Sequence, residues 1–126
     1  MKKKIRVLVV DDSAVVRQAL TEILESDPGI EVMATASDPF VAVERIEREV
    51  PDVITLDVEM PRMDGLALCR AIRATKRFRE LPVVLITALE TPGDRARGLE
   101  AGADAYLGKS SFDQQALLET IRELVG

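Results

Sequence analysis

Residues 5–13 read Ile5-Arg6-Val7-Leu8-Val9-Val10-Asp11-Asp12-Ser13, an almost unbroken apolar run that stops at two adjacent carboxylates. The run is about six residues long, too short for a buried helix. It is apolar at successive positions, as a strand covered on both faces must be. Such strands belong to parallel sheets. Two acids at the end of a core strand repel each other and are costly to desolvate, so this pair needs a partner from elsewhere in the chain.

Working outward, apolar runs and amphipathic segments alternate five times. Strands are expected at 5–10, 30–35, 53–56, 83–87 and 105–107. The run around Val83 repeats the two-faced apolar pattern. In the first intervening segment Val16, Leu20, Ile23 and Leu24 share a face. In the last, Leu117, Leu118, Ile121, Leu124 and Val125 do so. Start signals mark the helices. Asp38 precedes Pro39, and Thr91 precedes Pro92 with Asp94 three residues after Thr91. Ser111 with Gln114 suggests a capping box. The segment 92–101 is the weakest helix, with few apolar residues and an internal Gly98, worth about 1 kcal/mol against alanine. Strict strand–helix alternation implies an α/β fold, a doubly wound five-stranded parallel sheet with helices on both faces and right-handed crossovers. Ligands of such sheets bind at the carboxyl ends of the strands.

Composition sets further bounds. The chain has 126 residues, 47% hydrophobic and 31% charged, which suits a single globular domain over 1–126. The charged Met-Lys-Lys-Lys start precedes an apolar stretch too short and too interrupted for an export signal, and no apolar run could span a bilayer. A cytoplasmic protein is expected. Its one cysteine, Cys69, cannot form an internal disulfide and reads as a small core filler. The net charge of −5 argues against nonspecific nucleic-acid binding. There is no histidine, which removes Ser-His-Asp catalysis, histidine metal sites and a phosphohistidine role. Phosphate-cradling glycine loops are absent.

The strand ends carry the chemistry. Asp11 and Asp12 follow the first strand and Asp57 the third. Thr87 ends the fourth, and Lys109 follows the fifth. Each alone has a plain reading, as helix cap, β-former or solvated cation. Together they bring three acids, a hydroxyl and an ammonium to one edge of the sheet. Clustered carboxylates raise one another's pKa unless a cation relieves them. An all-oxygen set without His or Cys suits magnesium. A carboxylate can attack phosphorus, and a lysine with magnesium can neutralise the transferring oxygens. Asp57, at the end of the central strand, is the best nucleophile. Asp11 and Asp12 look like metal holders, Lys109 the cation, and Thr87 a hydroxyl donor to the phosphoryl group.

The pieces VLVVDDSAVVR (7–17), PDVITLDVEMPRMDGL (51–66), LPVVLITA (81–88) and GADAYLGKS (102–110) resemble the receiver domain of a two-component response regulator over essentially the whole chain. The first half is similar to the regulatory domain of the chemotaxis methylesterase, the second to receivers of hybrid chemotaxis-type kinases. The resemblance implies the strand order 2-1-3-4-5 and magnesium held by Asp12, Asp57 and the backbone carbonyl of Glu59, with Asp11 assisting. It also implies phosphorylation of Asp57 by a histidine kinase, passed on to a downstream effector. Thr87 and Tyr106 would couple phosphorylation to a change of surface, the Tyr106 ring swinging inward into space that Thr87 vacates. Glu59 and Leu89, two residues beyond Asp57 and Thr87, would tune phosphoryl lifetime. The output face would combine segments 92–101, 105–107 and 112–125. One departure stands out. Ser110 follows Lys109 where the family has proline, which leaves the geometry of that peptide open. No esterase domain follows Gly126 in this sequence, so a stand-alone, excised or chimeric receiver is expected, regulatory rather than enzymatic. The main rival is a haloacid-dehalogenase-type magnesium phosphatase, suggested by Asp57-Val58-Glu59. A flavodoxin-like carrier and an α/β domain with a degenerate site are weaker alternatives.

Overall fold

The computed structural model describes residues 3–60, 63–110 and 113–125. Five strands, β1 (Ile5–Val10), β2 (Ile30–Ala36), β3 (Val53–Leu56), β4 (Val83–Thr87) and β5 (Ala105–Gly108), alternate with five helices. These are α1 (Ala14–Glu25), α2 (Pro39–Arg48), α3 (Gly65–Ala74), α4 (Pro92–Glu100) and α5 (Gln114–Val125). A short 3-10 turn at Lys76–Phe78 follows α3. All pairings are parallel and the order is β2-β1-β3-β4-β5, as expected from the alternation and the resemblance.

Side chains alternate across each strand, so the two-faced apolar runs feed two cores. Leu8, Val10, Ile54, Leu56, Val83 and Leu85 point to one face, where Ala42 and Ile46 of α2 and Leu68, Cys69 and Ile72 of α3 cover them. Val7, Val9, Val53, Val84 and Ile86 point to the other, under Leu20 and Leu24 of α1 and Leu117 and Ile121 of α5. Cys69 fills the core as expected, buried and unpaired. Truncating a fully buried residue here, such as Ile121 to alanine, would cost about 2–5 kcal/mol.

The caps behave largely as the sequence indicates. Asp38 accepts from the N–H groups of Phe40 and Val41 at 2.8 and 3.0 Å. Thr91 and Asp94 form a reciprocal capping box. Helix α5 differs from expectation. It begins at Gln114, and the Asp113 carboxylate accepts from the Ala116 N–H at 2.7 Å, so Asp113 caps it. Ser111, expected to cap it, and Phe112, expected in its first turn, lie outside the described residues. A carboxylate three residues before an exposed N–H is a strong cap.

Helix α4 is as thinly anchored as its composition indicates. It buries Gly98 and leaves Leu99 45% exposed. Its far end is tied down by Arg73 of α3. That guanidinium donates to the carbonyls of Gly102 and Leu81 at 2.9 and 2.7 Å and pairs with Asp104 at 2.8 Å. Asp104 in turn accepts from the Val83 N–H at 2.9 Å, joining the α4–β5 turn to the start of β4.

Candidate functional site

The sheet hydrogen bonding continues one residue past the strands and so aligns their ends. The Asp11 N–H donates to Ala36 O at 3.1 Å, Asp57 N–H to Val10 O at 3.0 Å, and Lys109 N–H to Thr87 O at 2.8 Å. Each functional residue therefore leaves a fixed strand end rather than a free loop.

Asp11, Asp12 and Asp57 converge as expected, each offering a carboxylate oxygen within 4.8 Å of the others. Asp11 and Asp57 are buried, while Asp12 is exposed at the rim. Lys109 reaches over from β5. Its Nζ lies 3.0 Å from Asp11 Oδ2 and 3.2 Å from Asp57 Oδ2. The other oxygen of Asp11 accepts from the Ser13 N–H at 2.9 Å, and Ser13 Oγ caps α1 by accepting from Val16 N–H at 3.3 Å. Glu59 donates its N–H to Asp57 Oδ1 at 3.3 Å. An open cleft of about 510 Å³ beside the cluster is lined by Asp12, Val58, Glu59, Met60, Asp64 and Leu89.

Electrostatics follow from this packing. Burial, and then the Asp11 charge, raise the Asp57 carboxyl above its ordinary value, and Lys109 and the Glu59 N–H only partly offset them. Burial works against the Lys109 ammonium, but the hydrogen bond and charge of Asp11 and the charge of Asp57 outweigh it and raise its pKa. The two shifts are compatible because one lysine is shared between two carboxylates. One positive charge against three negative ones leaves a site that favours a further cation. The donors are hard oxygens with no nitrogen or sulfur among them, which fits magnesium.

Thr87 is fully buried at the end of β4, and its Oγ1 accepts from the Leu89 N–H at 3.2 Å. Tyr106 is the residue expected to act with Thr87 in carrying phosphorylation to the surface. It is already inside, 3% exposed, with its hydroxyl donating to the Leu89 carbonyl. Gly98 makes room for it: the ring lies where a side chain on residue 98 would otherwise stand. The Lys109–Ser110 peptide, left open by the sequence, is trans.

Several supporting residues escaped the sequence reading. Arg17 Nη1 donates to the Asp11 carbonyl at 2.7 Å, bracing the β1–α1 turn that carries both acids. Gly65 lies so close to the Asp57–Val58 backbone that a Cβ on it would overlap the Asp57 carbonyl oxygen and fall 2.9 Å from Val58 Cα. Its N–H donates to Val58 O at 2.8 Å. The Asp64-Gly65 pair, a helix cap followed by a glycine soon after a charged strand end, was the available signal. Arg17, six residues from its partner, left none.

The family described as response regulator receiver domain matches residues 7–122. A protein-glutamate methylesterase/protein-glutamine glutaminase of Rhodospirillum rubrum is 63% identical over 105 residues, 82% of this chain and 28% of that protein. One of Xanthomonas campestris is 50% identical over 98% of this chain and 34% of its own length. The likeness therefore runs through both halves of the chain, and the chain spans about a third of the length of these relatives. Among solved structures, the response regulator domain of Thermotoga maritima CheB superposes with a TM-score of 0.87 at 33% identity, covering 98% of this chain and 97% of that one.

Proposed function

The chain belongs to the response regulator receiver domain family, and we propose that its acidic cluster accepts a phosphoryl group on Asp57. The observation that carries this reading is Asp57 itself, buried at the end of the central strand with Lys109 on one oxygen and the carboxylates of Asp11 and Asp12 beside it. Neither the family match nor the relatives support the phosphatase alternative.

The donor is a phosphohistidine on a partner kinase, an imidazole this chain lacks. An Asp57 oxygen bonds to phosphorus as the N–P bond breaks. The electron pair remains on the imidazole nitrogen, which takes a proton from solvent. Lys109, already on Asp57 Oδ2, is placed to neutralise the oxygens of the transferring group. Asp11, Asp12 and Asp57, with the Glu59 carbonyl, would hold magnesium, which supplies charge neutralisation and orientation of the phosphoryl oxygens. The Thr87 hydroxyl is the donor to the bound phosphoryl group. Glu59 and Leu89 line the open cleft beside the acidic cluster, which supports a role in setting phosphoryl lifetime. The reaction is the chain's own phosphorylation and dephosphorylation, with no turnover of an outside substrate.

The output surface is the α4–β5–α5 face. The Leu89 carbonyl holds the Tyr106 hydroxyl, and the Tyr106 ring seats Gly98 of α4, so a shift of the β4–α4 segment toward a phosphoryl group reaches α4 directly. The relatives' names and the chemotaxis proteins among the structural neighbours support a chemotaxis pathway, with an attached or separate effector domain as the recipient.

Acetyl phosphate with magnesium should add one phosphoryl group, read by intact mass, and Asp57→Asn should abolish it. A variant that gains the adduct as quickly as wild type assigns the wrong nucleophile. Amide exchange with beryllofluoride, a phosphoryl mimic, should change from residue 92 to 125. Changes confined to the loops after Val10 and Leu56 would overturn the output surface.

A further inference from the structure

Lys109 must hold its ammonium between two carboxylates on other strands, yet it sits at the start of a loop. Its own N–H is anchored on Thr87 O at 2.8 Å. The residue after it is anchored too, by a side chain from across the sheet end. Glu90, three residues past Thr87, reaches over β5 and accepts from the Ser110 hydroxyl and from the Ser110 N–H at 3.4 Å. The path it takes is open only because residue 108 is glycine. A Cβ there would overlap Glu90 Oε1 and fall 2.6 Å from its Cγ. The neighbouring Leu89 is tied to the same strand by the Tyr106 hydroxyl.

We propose that Glu90 is a positioning residue for phosphoryl transfer. By clasping Ser110 it fixes the chain on the far side of Lys109 and so keeps the ammonium on Asp11 and Asp57. The proposal rests on the reading of Asp57 as phosphoacceptor. Ser110 suits the role because it supplies two donors, a backbone N–H and a hydroxyl, to one carboxylate. A charged acceptor makes both bonds stronger than neutral ones. Gly108 leaves the carboxylate room to lie across the strand end. Loss of the clasp frees Lys109 by a fraction of its length, and small misplacements of a group at a reacting centre are expensive in rate.

The test compares wild type, Glu90→Ala, Ser110→Ala, Lys109→Ala and the Glu90→Ala/Lys109→Ala pair in phosphorylation by acetyl phosphate at saturating magnesium. Glu90→Ala and Ser110→Ala should each slow the reaction about tenfold, with magnesium affinity changed less than twofold. In the Lys109→Ala background Glu90→Ala should slow it no further. A second readout does not depend on transfer. Limited acetylation followed by peptide mass analysis should label Lys109 faster in Glu90→Ala than in wild type. Glu90→Ala at the wild-type rate, an equal loss with and without Lys109, or unchanged Lys109 labelling would each overturn the proposal. Wild type that gains no phosphoryl group at Asp57 would instead overturn the phosphoacceptor reading.

Discussion

Gly98 of α4 faces the ring of Tyr106 so closely that a Cβ built on it would stand 2.6 Å from Cδ2 and 2.7 Å from Cε2. In the sequence this glycine is a weakness of about 1 kcal/mol in helix propensity. In the fold it is the seat of an aromatic ring. Gly98→Ala should therefore lose more through overpacking, about 1–3 kcal/mol, than it gains in propensity. Tyr106 is the only tyrosine and there is no tryptophan, so intrinsic fluorescence reports this ring alone. The variant should unfold at lower urea with a changed tyrosine signal. A more stable variant with the native signal would refute the seating.

Asp57 lends a second expectation, on pH. Its folded pKa is raised, by burial first and by Asp11 next. A raised carboxyl means the folded state holds the proton more tightly than the unfolded chain. Its contribution is then present below the ordinary value near 3.8 and is lost as pH rises through the raised folded value. At pH 7, above the ordinary value, the raised carboxyl is a cost without magnesium, so Asp57→Asn should melt higher than wild type. The gap should narrow as pH falls toward 3.8. Thermal melts across pH 3.5–8 check it, and a gap that widens on acidification contradicts the assigned sign.

Magnesium should stabilise the fold. A ligand at ten times its Kd contributes about 1.4 kcal/mol, or about 4–6 °C in Tm for a domain of this size. Asp12, exposed at the rim of the cluster, should matter only for that increment. Asp12→Ala should leave the metal-free melt unchanged or slightly higher, because like charges are relieved, and should remove the response to magnesium. A wild-type melt indifferent to millimolar magnesium would count against the site.

Thr55 on β3 presents a buried hydroxyl without a hydrogen-bond partner among the described residues. Its neighbours in the ladder are Val9 and Val84, and its face of the sheet is apolar. Thr55→Val keeps the shape and removes the unpaired oxygen. It should stabilise the protein by about 1 kcal/mol in urea denaturation. A destabilised variant would mean that the hydroxyl has a partner in solution.

What the sequence determined by itself was everything that depends on neighbours along the chain. The bounds of β1, β3 and β4 follow from apolar runs, and the starts of α2 and α4 from Asp38 and Thr91, because burial period and capping act within one or two turns. The convergence of Asp11, Asp12, Asp57, Thr87 and Lys109 was legible too, since parallel strands send their carboxyl ends to one edge. Where the chain only met itself in three dimensions, the sequence was silent. Tyr106 lies inward because Gly98, eight residues away and on another element, leaves it room. Glu90 reaches Ser110, and Arg73 ties α3 to the α4–β5 turn and to the approach to β4. Such pairs carry no period or spacing, because their separation along the chain is set by loop lengths and helix placement. Only the packed sheet decides which of them touch.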